Sequence, residues 1–274
     1  MKARGARGSL QSVAKAYKNW NRQLLLDPWL RYRSVVSMVR AESGSVSILD
    51  VGSGSLGLAY FLRSPTVAAD LAFSQTDLVQ FRPPVLAVRA SAVQLPFRDA
   101  SFDVTVSIDM LEHVPREDRA RVIRELFRVS KDMLIIGFPF GTLSERFDRE
   151  ALAVECQKGT APPWREEHVR NGLPSGETHE LLLETARTSS RPRTISWFGQ
   201  EGLVGLRLRW KLLQLVGRDS RLYGAVFAPL YALHARGSRR NAYRRIYVMR
   251  TPGSYPRRSF AAPRLQSFSS KVGN

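Results

Sequence analysis

Apolar and polar positions along the chain predict strands and helices that follow one another. Short apolar runs bounded by glycine or polar residues predict buried strands, and apolar positions three and four apart predict helices. Because βαβ units close with right-handed crossovers, the first part of this alternation predicts an α/β fold built on a parallel sheet. The predicted strands cover 46–51, 66–69, 85–88, 102–108, 133–138, 194–198 and 245–249, and the predicted helices cover 57–62, 75–80, 116–129, 200–216 and 222–235.

The segments that flank this alternation divide the chain into three predicted parts. Residues 1–44 form an N-terminal helical extension, in which Pro28 separates two helices. Residues 45–251 form the main domain, with a helical insertion at about 141–188 that prolines interrupt. Residues 252–274, rich in proline, serine and arginine, are predicted to be a disordered basic tail.

Length and composition limit the class of protein. A chain of 274 residues can bury a sizeable core. Its single cysteine, Cys156, excludes an internal disulfide and favours a reducing compartment. No segment has the apolar core of a signal peptide, and the apolar run at 223–235 is shorter than the roughly 20 residues that cross a bilayer. We therefore predict a cytoplasmic protein and leave peripheral contact with a membrane open.

The net charge of +18 is distributed unevenly. Residues 1–40 carry +8 and residues 186–274 carry +16, whereas the segment between them carries −6. Basic flanks of this kind can contact an anionic surface, either a membrane or RNA. Because the basic residues form no dense run, solvated basic faces are an equally good interpretation.

A glycine-rich loop is predicted where the first strand meets the following helix. The sequence DVGSGSLG at 50–57 lacks three β-carbons, so the backbone can turn tightly and approach a ligand closely. Asp70 ends the next strand, near the spacing at which an acid accepts hydrogen bonds from ribose hydroxyls, although it could instead cap a helix. These features fit a nicotinamide cofactor as well as S-adenosylmethionine.

The stretch at 94–114 favours S-adenosylmethionine over a nicotinamide cofactor. It reads QLPFRDASFDVTVSIDMLEHV and closely resembles the LPF…SFDVV…LEHV signature of the methyltransferase type 11 family. Together with the glycine loop, the resemblance covers about residues 46–140. It implies a class I S-adenosylmethionine-dependent methyltransferase, with a Rossmann-like seven-stranded sheet of order 3-2-1-4-5-7-6 whose last strand is antiparallel. The strands near Thr194 and Arg245 would complete that sheet.

The resemblance also implies roles for individual cofactor-binding residues. The loop around the methionine moiety is matched by Asp50, Gly52, Gly54 and Gly57, and the ribose acid by Asp70, followed by Leu71 where an apolar residue packs on adenine. Relatives place an acid four residues before the LPF leucine, where it accepts from the adenine amino group. Here that position is Ser91, followed by Ala92, and the departure predicts weaker cofactor binding. Ile108 and Asp109 lie where the fourth strand ends beside the sulfonium.

Methyl transfer from a sulfonium chiefly requires in-line alignment of the acceptor and exclusion of water. An acceptor hydroxyl or ammonium would also need a base, and His113, just after the fourth strand, is the predicted catalytic residue. The alternative is that this histidine supports local structure. Glu166, Glu167 and His168 in the helical insertion could recognise a sugar or a cationic acceptor, although a solvated helix face is the simpler explanation. No cluster has metal-ligand spacing along the chain, so no metal is predicted.

The sequence thus predicts a methyltransferase that uses S-adenosylmethionine and acts on a small-molecule, glycan or lipid-linked acceptor. An RNA methyltransferase would explain the basic flanks, but the chain has no Asn-Pro-Pro-Tyr-type tetrapeptide and no recognisable RNA-binding module. A non-catalytic protein that keeps the fold as a binding or assembly platform is compatible with Ser91. A nicotinamide-dependent dehydrogenase fits the glycines and Asp70 but not the stretch at 94–114.

Overall fold

Eight strands form one mixed sheet in the computed structural model, which describes residues 22–42, 45–54, 57–62, 64–73, 85–216, 241–253 and 266–267. The strands are β1 (Ile48–Val51), β2 (Thr66–Asp70), β3 (Val85–Arg89), β4 (Phe102–Ile108), β5 (Ser130–Pro139), β6 (Thr194–Gly202), β7 (Ala242–Arg250) and β8 (Gln266–Ser267). Their order is 3-2-1-4-5-7-6-8, with the first five strands parallel and β7 antiparallel to both neighbours. The predicted seven-stranded order is therefore confirmed. β8 lies within the segment 252–274 that was predicted to be disordered. Its two residues pair with β6, so the structure differs from that prediction there.

Burial explains why the central strands read as continuous apolar runs. All four residues of β1 are buried, as are six of the seven in β4. A parallel sheet covered on both faces needs apolar side chains at successive positions rather than at alternate ones. The edge strand β3 has no buried residue, which fits its place at the end of the sheet.

Helices cover both faces of the sheet. They are α1 (Arg22–Ala41), α2 (Arg119–Val129), α3 (Thr142–Gln157), α4 (Pro163–Asn171), α5 (Gly176–Thr188) and α6 (Leu203–Val216). One core cluster joins α2 and α5 to the sheet, and a second joins α1 to alternate strand positions that face the other way. In α2, Val122, Ile123 and Leu126 are fully buried at helical spacing. The result is a helix–sheet–helix arrangement with the core on both sides of the strands.

Two predicted helices have different bounds in the structure. The helix predicted at 57–62 is only a 3-10 turn, Leu58–Tyr60. Pro65 disfavours helical backbone at Ser64, so a helix in this loop must end before that residue. The helix predicted from 200 begins at Leu203, because β6 continues to Gly202. The helices predicted at 75–80 and 222–235 lie outside the described residues. Pro28, which was predicted to separate two N-terminal helices, instead lies inside α1, so that prediction was wrong.

The predicted helical insertion folds as three helices, α3 to α5. Its prolines stand where a helix tolerates them: Pro162 precedes α4, Pro163 begins it, and Pro174 lies between α4 and α5. The Ser144 hydroxyl donates to the backbone oxygen of Tyr243 at 2.9 Å and so holds α3 against β7. The insertion consequently lies over the carboxyl end of the parallel strands. In the described parts of the chain, no helix combines the length and apolar character that a membrane crossing requires.

Candidate active site

The loop after β1 follows the tight course that its glycines predict. Gly52 and Gly54 adopt positive φ angles of 75° and 52°, a region that L side chains rarely occupy. A Cβ on Gly52 would overlap the Met110 side chain, and a Cβ on Gly57 would lie 2.5 Å from Asp50 Oδ2. Gly52 is therefore required for both conformation and space, whereas Gly57 is required for space.

Asp50 lies in β1 beneath this loop and is fully buried. Its Oδ2 accepts a hydrogen bond from the backbone N–H of Leu58 at 2.7 Å, and its Oδ1 has no hydrogen-bond partner among the described residues. Burial raises the pKa of this carboxyl to about 7; the Leu58 hydrogen bond acts against the shift and the charge of Asp70 adds to it. Asp50 therefore holds the loop to the following 3-10 turn.

A cavity of about 280 Å³ opens beside the loop, at the carboxyl ends of β1 and β2. Asp70 lies in its wall, and its Oδ2 accepts a hydrogen bond from Gly54 N at 2.8 Å. The neighbouring Leu71 side chain is 66% exposed, so it presents an apolar face at the cavity. The lining includes five of the predicted cofactor residues: Gly52, Asp70, Leu71, Ser91 and Ala92.

Ser91 follows β3, where its backbone pairs with Gln94 in an isolated bridge. Its hydroxyl oxygen accepts from Val93 N at 3.4 Å, which is long for a hydrogen bond. The oxygen therefore retains capacity to accept from a ligand donor in the cavity.

A larger cavity of about 740 Å³ adjoins the first, and His113 lines both. Its walls come from the ends of β4, β5 and β7 and from α3, α4 and α6. Cationic, anionic and aromatic side chains are interleaved in the lining. They include Asp109, Glu112, Glu155, Glu201, Arg31, Lys158, Arg165, Arg209, Arg244, Phe147, Trp164, Trp210 and Tyr243.

Asp109 lies on the side of the larger cavity and does not line the smaller one among the described residues. It follows β4 with a φ of 54°. Arg244 Nη2 donates to its Oδ2 at 2.6 Å, and Arg31 Nε lies 3.2 Å from the same oxygen. Burial opposes the charge, but Arg244 and then Arg31 outweigh it and lower the pKa of Asp109. Ile108, just before it, is buried in the core and lines neither cavity in the described part of the chain.

His113 stands at the boundary between the two cavities, with a side chain that is 32% exposed. Its Nδ1 lies 2.6 Å from Oε2 of Glu167 on α4. Burial and the charge of His168 lower the pKa of His113, although Glu167 acts in the opposite direction. The imidazole is therefore largely neutral at pH 7 and is oriented by Glu167.

Glu112, Asp148 and Tyr243 have no role predicted from the sequence, whereas His168 was a candidate for recognising the acceptor. Glu112 is fully buried, and burial followed by the charge of Asp109 raises its pKa. His168 Nδ1 on α4 lies 2.9 Å from Asp148 Oδ2, and Asp148 also accepts from the Tyr243 hydroxyl. The LEHV signature marks the position of Glu112, but only the fold brings α3, α4 and β7 beside it.

Comparison with protein families identifies the domain. Residues 49–133 match the family model of the type 11 methyltransferase domain. The match includes the glycine loop, the acid at the end of β2 and the turn that carries His113. The matched segment of the chain is thus a methyltransferase domain of the type 11 family. The smaller cavity of this methyltransferase domain is lined by residues from the matched segment, at the carboxyl edge of the sheet where ligands of open α/β folds bind.

One relative shares part of the sequence, and two solved structures share the fold. Over 98 residues the chain is 32% identical to an uncharacterized protein of Haemophilus influenzae, in a match that covers 33% of this chain and 39% of that relative. The matched region thus spans about two-fifths of the relative's length. A Haloferax volcanii protein in complex with the Trm112 methyltransferase activator has a TM-score of 0.52 at 14% identity and covers 88% of this chain and 96% of its own. The plantazolicin methyltransferase BpumL in complex with SAH has a TM-score of 0.52 at 11% identity and covers 88% and 90%.

Proposed function

We propose that the protein transfers a methyl group from S-adenosylmethionine to a small-molecule, glycan or lipid-linked acceptor held in the larger cavity. The observation that carries this proposal is the contact between the two cavities, with His113 in the lining of both. Methyl transfer needs a cofactor site and an acceptor site that meet at the sulfonium. Adjoining cavities at the carboxyl edge of the sheet satisfy that requirement.

In this proposal, the smaller cavity holds the cofactor. The Asp70 carboxylate accepts hydrogen bonds from the ribose hydroxyls, and the exposed face of Leu71 packs on the adenine ring. Ser91 accepts from the adenine amino group, and Ala92 leaves space beside the ring. The loop that Asp50 supports encloses the methionine moiety. Because Gly54 N already donates to Asp70, the ribose hydroxyls would replace that hydrogen bond or share the carboxylate with it.

His113 is the proposed catalytic residue at the junction. Since Nδ1 faces Glu167, Nε2 is the ring nitrogen that accepts the proton from an acceptor hydroxyl or ammonium. A base must be unprotonated before it acts, and the lowered pKa of His113 favours the neutral ring at pH 7. The oxygen or nitrogen of the acceptor then forms its bond to the methyl carbon as the sulfur–carbon bond breaks.

The lining of the larger cavity favours a compact, polyfunctional acceptor. The carboxylates of Asp109 and Glu201 can accept hydrogen bonds from hydroxyl or ammonium groups. Trp164 and Trp210 offer flat apolar faces in the same cavity. Polar groups interleaved with aromatic rings are suited to sugars and other small polyfunctional molecules.

Label transfer from methyl-tritiated S-adenosylmethionine tests the proposal. The acceptor pools are hydroxylated and amine metabolites, glycans, lipid-linked saccharides and RNA, each incubated with the same enzyme preparation. We expect label in one of the first three pools, about a hundredfold less with His113→Gln, and none above background with Asp70→Ala. The matched control Asp132→Asn changes an acid at the opposite end of β5, beside Lys131, and should transfer normally.

Two results would contradict the proposal. Label in RNA alone would replace the acceptor class with a nucleic acid. Absence of transfer to every pool, by a protein that binds the cofactor, would favour a non-catalytic binding platform.

A further inference from the structure

Three side chains with metal-ligating atoms converge where the two cavities meet. Glu112 and His113 lie in the turn after β4, and His168 lies on α4. One oxygen of Glu112 and one ring nitrogen of each histidine lie within 4.8 Å of one another. His168 Nε2 is 3.9 Å from Glu112 Oε1, and the two imidazole centroids are 4.9 Å apart.

Glu112 is the most unusual member of this cluster. Its side chain is 0% exposed, and neither carboxylate oxygen receives a hydrogen bond from another residue in the described part of the chain. A buried carboxylate without a partner is costly, and proteins normally compensate it by hydrogen bonds, an ion pair or a metal. His168 Nε2 lies 3.9 Å from Glu112 Oε1, which is beyond hydrogen-bond distance. Glu112 therefore has acceptor capacity directed into the cluster.

Both histidines are oriented as metal ligands usually are. His168 Nδ1 meets Asp148 Oδ2 at 2.9 Å, and His113 Nδ1 meets Glu167 Oε2 at 2.6 Å. In each ring a carboxylate engages Nδ1 and leaves Nε2 as the second nitrogen. Carboxylate–histidine pairs of this kind fix the tautomer and increase the basicity of the nitrogen that binds a metal.

The elements that carry the cluster are tied to each other. Asn171, the last residue of α4, donates from its side chain to the His113 backbone oxygen at 2.9 Å. Arg119 Nη2 donates to the backbone oxygen of Gly172, just after α4. The Asp148 carboxylate that holds His168 also accepts from the Tyr243 hydroxyl at 2.9 Å. The arrangement is consequently held by α2, α3, α4 and β7 together.

We propose that Glu112, His113 and His168 bind a divalent transition-metal ion at the junction of the cofactor and acceptor cavities. Two imidazole nitrogens and one carboxylate oxygen suit zinc, manganese or iron better than magnesium, which prefers an all-oxygen shell. In a tetrahedral zinc site, ligand atoms are about 3.3 Å apart. Since the three atoms here lie within 4.8 Å of one another, each pair must approach by at most about 1.5 Å. Three protein ligands leave a further position open toward the larger cavity, as in catalytic rather than structural sites.

The ion would change the role of His113 in methyl transfer, and this part rests on the proposed function. An acceptor hydroxyl bound at the open position would have a lowered pKa and release its proton to water. Its oxygen would then bond to the methyl carbon while the sulfur–carbon bond breaks and the electron pair stays on S-adenosylhomocysteine. His113 would act as a ligand instead of taking the proton. Metal binding itself does not depend on the cofactor or the acceptor.

Calorimetric titration of the chelator-treated, dialysed protein with Zn²⁺, Mn²⁺ and Mg²⁺ tests the site, without cofactor or acceptor present. We expect one ion per chain, with Zn²⁺ binding at least tenfold more tightly than Mg²⁺. Glu112→Gln and His168→Gln should each weaken Zn²⁺ binding by at least tenfold. The matched control His179→Gln removes a half-buried imidazole that contacts Tyr247 outside the cluster and should leave Zn²⁺ affinity unchanged.

Substitution with Co²⁺ supplies a second readout that does not depend on affinity. The wild type and His179→Gln should show the visible absorption bands of a cobalt site with nitrogen and oxygen ligands. These bands should change in Glu112→Asp, because this variant keeps the charge but withdraws the carboxylate. Circular dichroism checks that each variant is folded. Absence of saturable Zn²⁺ binding by the folded wild type would overturn the proposal. So would a Zn²⁺ affinity of Glu112→Gln and His168→Gln equal to that of the wild type. Either result would leave the methyl-transfer experiment unaffected, so the two proposals can fail separately.

Discussion

At the scale of single residues, the carboxyl of Asp50 beneath the glycine loop makes the stability of the fold depend on pH. Its pKa is raised from 3.8 to about 7 because the side chain is fully buried. A raised pKa in the folded state means that this state binds the proton more tightly than the unfolded chain. The contribution of Asp50 to stability is complete below pH 4 and is lost as the pH rises through about 7.

The variant Asp50→Asn should remove this pH dependence. Asparagine has the same shape, its oxygen can accept from Leu58 N, and it carries no charge at any pH. Between pH 5 and pH 8, without cofactor, the free energy of unfolding of the wild type should fall relative to that of the variant by about 3 kcal/mol. Urea unfolding at several pH values measures the difference. Parallel pH profiles for the two proteins would show that Asp50 is already ionised in the fold.

Adding a carboxylate at Ser91 should strengthen cofactor binding. The Ser91→Asp variant places a carboxylate in the wall of the smaller cavity, where the type 11 resemblance expects an acid. Since a hydrogen bond to a charged acceptor is stronger by about 1 kcal/mol, S-adenosylmethionine should bind about fivefold more tightly. Calorimetry with adenosylmethionine and with a ligand that lacks the adenine amino group measures this. An equal gain for both ligands would exclude a contact between residue 91 and that amino group.

At the scale of elements, the loop after β1 is determined by space as well as by backbone conformation. Gly52 and Gly54 both have positive φ, but a Cβ on Gly52 would also lie 2.5 Å from Met110 Cβ, while one on Gly54 would meet no atom within 4 Å. The turn that carries Met110 also carries His113. A clash at Gly52 therefore reaches both the loop and the turn that carries the proposed catalytic residue.

Alanine at these two glycines should separate the effects. Gly54→Ala should cost about 1 kcal/mol of stability from its φ angle alone. Gly52→Ala should cost at least about twice as much, since the overlap with Met110 requires movement of the turn. Denaturant unfolding of both variants measures the difference. If Gly52→Ala were no less stable than Gly54→Ala, the turn would not press on the loop as described.

The extent to which the sequence predicted these elements follows from their physical basis. Buried runs such as those of β1 and β4 are visible in one dimension, so their bounds were predicted to within a few residues. The helix expected at 57–62 was wrong in type: a single 3-10 turn at Leu58–Tyr60, whose first N–H donates to Asp50, takes its place. The strand order was accessible only through the family resemblance. Pairing across the sheet does not follow from spacing alone.

At the scale of the whole molecule, the site depends on contacts between distant segments. The ion pair of Asp109 joins α1, the end of β4 and β7, and the His168–Asp148–Tyr243 contacts join α4, α3 and β7. No local pattern predicts these contacts, because each partner reads as an ordinary polar residue in its own element. The sequence therefore identified the residues of the smaller cavity, which lie in one continuous motif region, more fully than those of the larger cavity.

The cavity beside the glycine loop is the proposed binding site of S-adenosylmethionine. Calorimetric titration with S-adenosylmethionine and S-adenosylhomocysteine tests this site, with Asp70→Ala as the site variant and Asp132→Asn as the control. We expect saturable binding of one molecule of each ligand to the wild type and the control, and at least tenfold weaker binding to Asp70→Ala. Absence of binding by the folded wild type at millimolar ligand, or equal affinity of Asp70→Ala and the wild type, would exclude this cavity as the binding site of S-adenosylmethionine.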